Sequence, residues 1–391
     1  MKKAVFIIYF LLLTMFLFAP IKAFSVRAET SERVEDELGE IIDEQLDVLD
    51  LAALQAYIDS LEDYSAESVK DQLIAYIKGE SIDYQSFFST VLEILFLRIA
   101  EIVPAFACIM AITLLSGLIS SLGSSTNGVT ASNMIFMIAY ASALIPLISV
   151  LIECFTQTFS SMSEMKKQMD LIYPIMLTLM AASGGTLSAA ICKPAVAFFS
   201  NGIVSVINSV VFPFTVVIIV FSIAGNFTKD LKIGKFCDFF KSINKWLLGL
   251  CVSVFGLFFT LQGLTASAYD GVVRRAAKYA IGNGVPIVGG FLSGGFDLAI
   301  AGSVLIKNSL GSMGIFLMLT VIFEPIILLL SITLLLRFTC AVTQLFGDSR
   351  ISDFLGETAN NLRYCTAGVL FTAFLYFLSI VLMISSSEVL F

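Results

Sequence analysis

The chain has 391 residues, of which 58% are hydrophobic and only 14% charged, with mean hydropathy +0.92 and a formal net charge of −8. Soluble globular domains carry about 25% charged residues, so a wholly water-soluble body is excluded, and the acidic balance excludes nucleic-acid binding, which needs a basic footprint. There is no histidine, which removes the usual general base, the Ser-His-Asp and Cys-His nucleophile systems and every imidazole metal site.

The charge is concentrated. Residues 1–28 carry +4, residues 29–90 carry −14 and residues 91–391 carry +2. The middle segment alone holds 17 of the 31 acidic side chains and three basic ones, Arg33, Lys70 and Lys78. That segment must live in water, whereas the apolar runs after it, many of 18 residues or more, belong in a bilayer.

In chain order, residues 1–28 read as a secretory signal. Lys2 and Lys3 give the charged start, Ala4–Phe18 the apolar stretch, and Ala23 and Ala28 the cleavage positions. The alternative is an uncleaved anchor helix; either way residues 29–90 end outside the cytoplasm. Within them, Val34, Leu38, Ile41, Ile42, Leu49, Leu54, Ile58 and Leu61 recur mostly at three- and four-residue steps and predict helix across 31–63, with acids on the other face. Ser65 is the predicted N-cap of a second helix that Gly79 stops. Asp83 is the predicted cap of a third, with Phe87, Phe88, Val91 and Leu95 on its apolar side. The acidic face reads either as a solvated surface or as a docking surface for a basic partner.

Eight apolar segments follow: Ile102–Leu122, Met134–Cys154, Leu171–Cys192, Ile203–Ala224, Trp246–Ala266, Pro286–Ile306, Ser309–Leu336 and Tyr364–Ser385. Backbone groups cannot stay unpaired in lipid, so these are helices. If all eight cross and the acidic domain is external, the 226–245 loop with its five lysines lies outside, against the positive-inside rule. A re-entrant or surface-lying segment among residues 171–225, with a break at Ala181–Gly185, removes that conflict. A weak repeat at an offset of 112 relates Pro174 to Pro286 and Pro213 to Pro325. Transporters carry such repeats, and prolines in a long apolar chain also repeat by chance. The seven cysteines form no C-x-x-C pair, and the acidic domain has none, so no disulfide framework is expected.

The candidate site residues are ionisable groups and glycines at membrane depth. Asp297 follows Gly294-Gly295, and Glu324 precedes Pro325 near the middle of the longest run. A carboxylate at a span centre costs about 2.5–3.5 kcal/mol on insertion scales, so each marks a pathway or a paired group. For Glu324 the structural alternative is a pair with Arg337 or with a neighbouring helix. For Asp297 it is a re-entrant turn near water. Gly290 and Gly294 form a G-x-x-x-G, and Gly184 and Gly185 lie in a series with Ala181 and Ala189; such small faces let helices approach closely. No P-loop, dinucleotide fingerprint or metal-ligand spacing is present, and no cofactor or metal is implied.

The strings Ala181–Ala190 (AASGGTLSAA), Val285–Gly311 (VPIVGGFLSGGFDLAIAGSVLIKNSLG) and Gly347–Ile351 (GDSRI), within this order of segments, resemble the stage III sporulation protein AE family of endospore-forming bacteria. The resemblance covers essentially the whole chain and names no active site. It implies a mother-cell protein in the membrane around the forespore, part of a secretion-like complex joining the two cells. The acidic domain would then face the intermembrane space, where ring-forming partners assemble.

The expectation is an all-α polytopic membrane protein. A signal or anchor (1–28) precedes a small acidic extracytoplasmic helical domain (29–90) and a multi-span body (91–391). Its expected function is that of a non-enzymatic subunit of the channel complex; the alternative is a stand-alone permease using Glu324 and Asp297.

Overall fold

The computed structural model describes residues 32–61, 68–79, 84–123, 129–227, 233–284, 289–346 and 349–385. The signal-like stretch, Ser65, Asp83 and Pro286 lie outside the described residues. All regular structure described is helical, as expected. The acidic segment forms α1 (Glu32–Val48), α2 (Ala52–Asp59) and α3 (Val69–Ile77). The body contains α4 (Tyr84–Gly123), α5 (Val129–Ala182) and α6 (Thr186–Ala197). Two π-helical turns, Phe198–Ile203 and Ile207–Val211, then bracket α7 (Val204–Val206). After them come α8 (Phe212–Phe227), α9 (Gly234–Gly284), α10 (Gly289–Phe346), α11 (Ser349–Asn361) and α12 (Arg363–Ser385).

The eight apolar stretches are gathered into fewer, longer helices. α5 has 54 residues and α10 has 58. The polar stretch 155–170 between two apolar runs contains no Gly or Pro, so nothing in it stops a helix, and α5 continues through it. Lys307 and Asn308 likewise lie inside α10. Among the described residues six helices are long and apolar enough to cross a membrane. A 50-residue stretch such as Asn133–Ala182 is about 75 Å long, more than twice the roughly 30 Å of hydrocarbon in a bilayer. Prolines 104, 146, 174, 194 and 325 lie within helices, which membrane helices tolerate when neighbours satisfy the freed carbonyls.

α5 and α10 form an antiparallel centre. Gln157 meets Glu324, and further along α5 Gln168 donates to the Leu317 carbonyl at 2.9 Å. α4 runs parallel to α10, with Arg98 against Glu324 and Thr113 against Thr343. α8 is tied to α5 where the Tyr140 hydroxyl donates to the Ile223 carbonyl at 2.8 Å. One face of α5, namely Met162, Met165, Met169, Tyr173, Met176 and Met180, is wholly buried. Its three- and four-residue steps keep these side chains in one stripe, and unbranched methionines fill irregular gaps between helices. α12 returns along this core: Tyr173 and Tyr376 meet edge to face at 5.7 Å, and the buried Lys307 ammonium donates to the Ile384 carbonyl at 2.7 Å.

The acidic helices do not stand apart from the body. Ile42, Leu46, Leu54, Tyr57, Ile58, Val69 and Leu73 are buried and belong to the same core cluster as the long helices. Gly302 of α10 lies under α1: a Cβ there would make ordinary contact, 3.4–3.6 Å from Gln45, Ile41 and Ile42. Gln45 fixes the register, donating to the Ala299 carbonyl at 2.9 Å and accepting from Ser303 at 3.0 Å. Gln168 donates to the Tyr57 hydroxyl at 3.0 Å, and Lys167 lies over the Tyr57 ring. Lys70 reaches back to Asp43 and Asp47 at 3.2 and 2.8 Å, and these carboxylates hold its ammonium above the usual lysine range. Glu40, Glu44 and Asp50 point outward, exposed. The cap of α3 is Ser68, which accepts from the Asp71 amide at 3.2 Å, rather than Ser65. Gly79 ends this helix as expected, at φ 82°.

A Cβ on Gly368 of α12 would come within 2.9 Å of both Ile207 and Phe212, whereas one on Gly256 of α9 meets nothing. Gly368→Ala should therefore cost roughly 1–3 kcal/mol of stability, while Gly256→Ala should be neutral or gain about 1 kcal/mol of helix propensity. Thermal unfolding in detergent checks both, and equal midpoints would count against this geometry. Burial raises the Tyr57 hydroxyl to about 12, with Gln168 opposing and Glu164 adding to the shift. The folded state therefore keeps a proton that the unfolded chain loses near pH 10, so this contribution is complete below about pH 10 and is lost between about 10 and 12. Hydrogen exchange of α2 should show docking weakening in that window, and Tyr57→Phe should remove the pH dependence.

Candidate functional site

The structure places Glu324 at a three-helix seam. It lies on α10 beside Pro325, whose missing N–H frees the Val321 carbonyl one turn earlier. Its Oε1 accepts from Arg98 of α4, and its Oε2 accepts from Gln157 of α5 at 2.5 Å. Arg98 is forked, since its other terminal nitrogen donates to Glu101, one turn along α4, at 2.9 Å. The Arg98 and Glu324 side chains are 27% and 30% exposed. Both carboxylate oxygens are thus engaged by donors from different helices. That arrangement offsets the Glu324 charge and clamps α4, α5 and α10 together, and charge-assisted bonds of this kind are the strong ones. The partner is on a neighbouring helix; Arg337 lies exposed further along α10.

Asp297 does not join this cluster. It is half-buried on the same helix, about 40 Å of helical rise from Glu324, close to where Gln45 meets Ala299. Gly290 and Gly294 lie in the first turns of α10. Gly184 and Gly185 form the break between α5 and α6. Gly184, at φ 90°, donates to the Ala181 carbonyl at 3.1 Å, and Gly185 donates to the Met180 carbonyl at 2.9 Å. This pair of bonds closes a helix end and needs a left-handed residue at Gly184, a conformation only glycine adopts without cost. The glycines therefore explain a turn rather than a ligand. The repeat offset does not mark equivalent breaks, because Pro213 is the second residue of α8 while Pro325 lies inside α10.

Neither Gln157 nor Arg98 stands out in the sequence as a partner for Glu324. The only local trace of the cluster was the Arg98–Glu101 spacing of three. A second carboxylate, Glu357 of α11, accepts from Ser222 and from Asn226 of α8. Among the described residues no three Cys, Asp or Glu side chains converge as a metal cage would require. All seven cysteines are free, and five of them, Cys154, Cys192, Cys237, Cys251 and Cys365, are buried.

These features define an all-helical, multi-pass membrane protein whose acidic N-terminal helices are packed on its two longest helices. The model of the family described as stage III sporulation protein AE matches residues 68–387, which include α3 to α12 and the whole Arg98–Gln157–Glu324 cluster. The chain belongs to that family, and so is a membrane protein of sporulation. It is similar to the stage III sporulation protein AE of Bacillus subtilis (strain 168), 23% identical over 323 residues, which are 82% of this chain and 81% of that relative. No solved structure matches it.

The clamp can be measured by a double-mutant cycle. Arg98→Gln and Glu324→Gln should each lower the thermal midpoint, because the first leaves a half-buried carboxylate without its cation and the second takes from Arg98 one of its two carboxylates. The double variant should lose less than the sum, with a coupling of about 0.5–3 kcal/mol. Additive losses would show that the two side chains do not act together.

Proposed function

We propose that this chain is a non-enzymatic membrane subunit of the secretion-like channel complex that joins mother cell and forespore. In this reading it lies in the mother-cell membrane surrounding the forespore. The acidic helices α1–α3 sit on the extracytoplasmic side and meet the ring-forming partners there. Membership of the sporulation family supports the setting. The observation that carries the reading is the way the acidic helices are held. Their apolar seam is packed on α10 and α5, and Gln45 and Tyr57 fix its register. Their exposed acids, Glu40, Glu44 and Asp50 among them, are left facing outward. A charged face held rigidly on a membrane body is suited to recognising a basic surface by steering and register. The permease alternative rested on Glu324 and Asp297. Glu324 is already satisfied by Arg98 and Gln157, and Asp297 lies far from it, so the two make no common substrate site.

Reversing exposed charge without touching the seam tests this reading. Glu40→Lys, Glu44→Lys and Asp50→Lys together should leave membrane insertion and protein level normal while heat-resistant spore counts fall. Spore counts equal to the parent's, with the triple variant present at normal level, would sink the docking role.

A further inference from the structure

A group of polar side chains deep in the body lies apart from the clamp and keeps polar atoms that the docking of the acidic helices leaves unused. Gln168 and Tyr173 lie on α5, and Tyr376 and Ser379 lie on α12. All four are buried, three of them completely. The Gln168 Oε1, both tyrosine hydroxyls and the Ser379 hydroxyl have no hydrogen-bond partner in the protein. Nor does the Thr372 hydroxyl, one turn before Tyr376 on the same face of α12.

These atoms are neighbours. The Tyr173 and Tyr376 rings meet at 5.7 Å. The Tyr173 hydroxyl lies beside the Ser379 hydroxyl, without a well-formed hydrogen bond between them. Tyr376 also lies within electrostatic range of Tyr57, which Gln168 already holds. The polar atoms therefore run from the acidic helices inward, between α5 and α12. Ser379 also borders a small, mostly apolar cleft lined by Cys192, Phe199 and Phe255.

Buried hydroxyls without partners give up hydration for nothing. A native core tolerates few of them, and several in one place call for a shared partner. A buried water molecule needs two to four polar partners, and these unpaired atoms are of that number and kind. A serine or threonine on a helix would ordinarily turn its hydroxyl back to the carbonyl four residues earlier, as Thr366 and Thr358 do here. Ser379 and Thr372 do not, which fits hydroxyls turned towards an internal ligand.

We propose that Gln168, Tyr173, Tyr376 and Ser379 hold internal water, forming a hydrated site between α5 and α12 that reaches the Tyr57 hydroxyl of the docked acidic helices. The site is independent of the channel-subunit reading. It would bind the acidic helices to the body partly through water, in the way water bridges polar groups at wet interfaces.

X-ray hydroxyl-radical footprinting of the full-length protein in lipid nanodiscs tests it, because radicals arise from water lying against the side chain. Tyr140 is the internal control: it is equally buried, but its hydroxyl is satisfied by the Ile223 carbonyl. Tyr173 and Tyr376 should be modified several-fold faster than Tyr140. Modification of both at the Tyr140 rate overturns the proposal. Ser379→Ala and Tyr376→Phe each remove one partner of the water, so in whichever of them folds Tyr173 modification should slow towards the Tyr140 rate. Unchanged rapid modification of Tyr173 in both variants overturns the shared site.

Discussion

The long antiparallel contact between α5 and α10 is the constraint on which the rest depends. Every other part of the body is attached to one or both of these helices. α4 is tied to them through Arg98, α12 through Tyr173 and Lys307, and the acidic helices through Gln45 and Tyr57. The contact is made mostly by methionine, leucine and isoleucine side chains. In lipid such side chains gain little from being removed from an apolar solvent, so close fit and interhelical hydrogen bonds decide the association. The small residues at Gly311 and Gly314, where Ile380, Ile384 and Ile172 press against the backbone of α10, show that fit.

Polar contacts are sparse and fall where helices must be held in register. Gln157 and Arg98 satisfy one carboxylate between three helices, and Asn244 of α9 reaches the Val211 carbonyl and the Thr215 hydroxyl at 3.2 and 3.1 Å. The second π turn ends at Val211 itself. A π turn departs from the regular α-helical ladder, and here the Val211 carbonyl accepts both from the Thr215 hydroxyl at 2.8 Å and from Asn244 of the next long helix.

The fold class was legible because hydropathy reports which residues suit a bilayer. Helix ends were legible only where backbone chemistry forces them, at Gly79 and at Gly184-Gly185. The division of α5 and α10 into separate segments was not recoverable from hydropathy. Residues 155–170 and Lys307-Asn308 interrupt an apolar pattern, yet they contain no Gly or Pro, so polarity marks a change of surroundings and not the end of a helix. The acidic helices carried their apolar seam openly in Ile41, Ile42, Leu54 and Ile58. What that seam meets was hidden, since Gln45 and Ser303 are 258 positions apart. The candidate site was half legible for the same reason. Glu324 stood out as an expensive carboxylate, but its partner on α4 has no local signature at a separation of 226 residues.

Lys307 gives the last helix an unusual dependence on the middle of the chain. Its ammonium rests on a carbonyl in the final turn of α12, 77 positions later, where the negative end of that helix gathers. A polypeptide stopped a few residues early would deprive a cation already embedded among apolar side chains of this acceptor. Completion of the carboxyl end is thereby sensed far upstream, and a truncated product would carry its defect in the heart of the bundle instead of at its frayed tip.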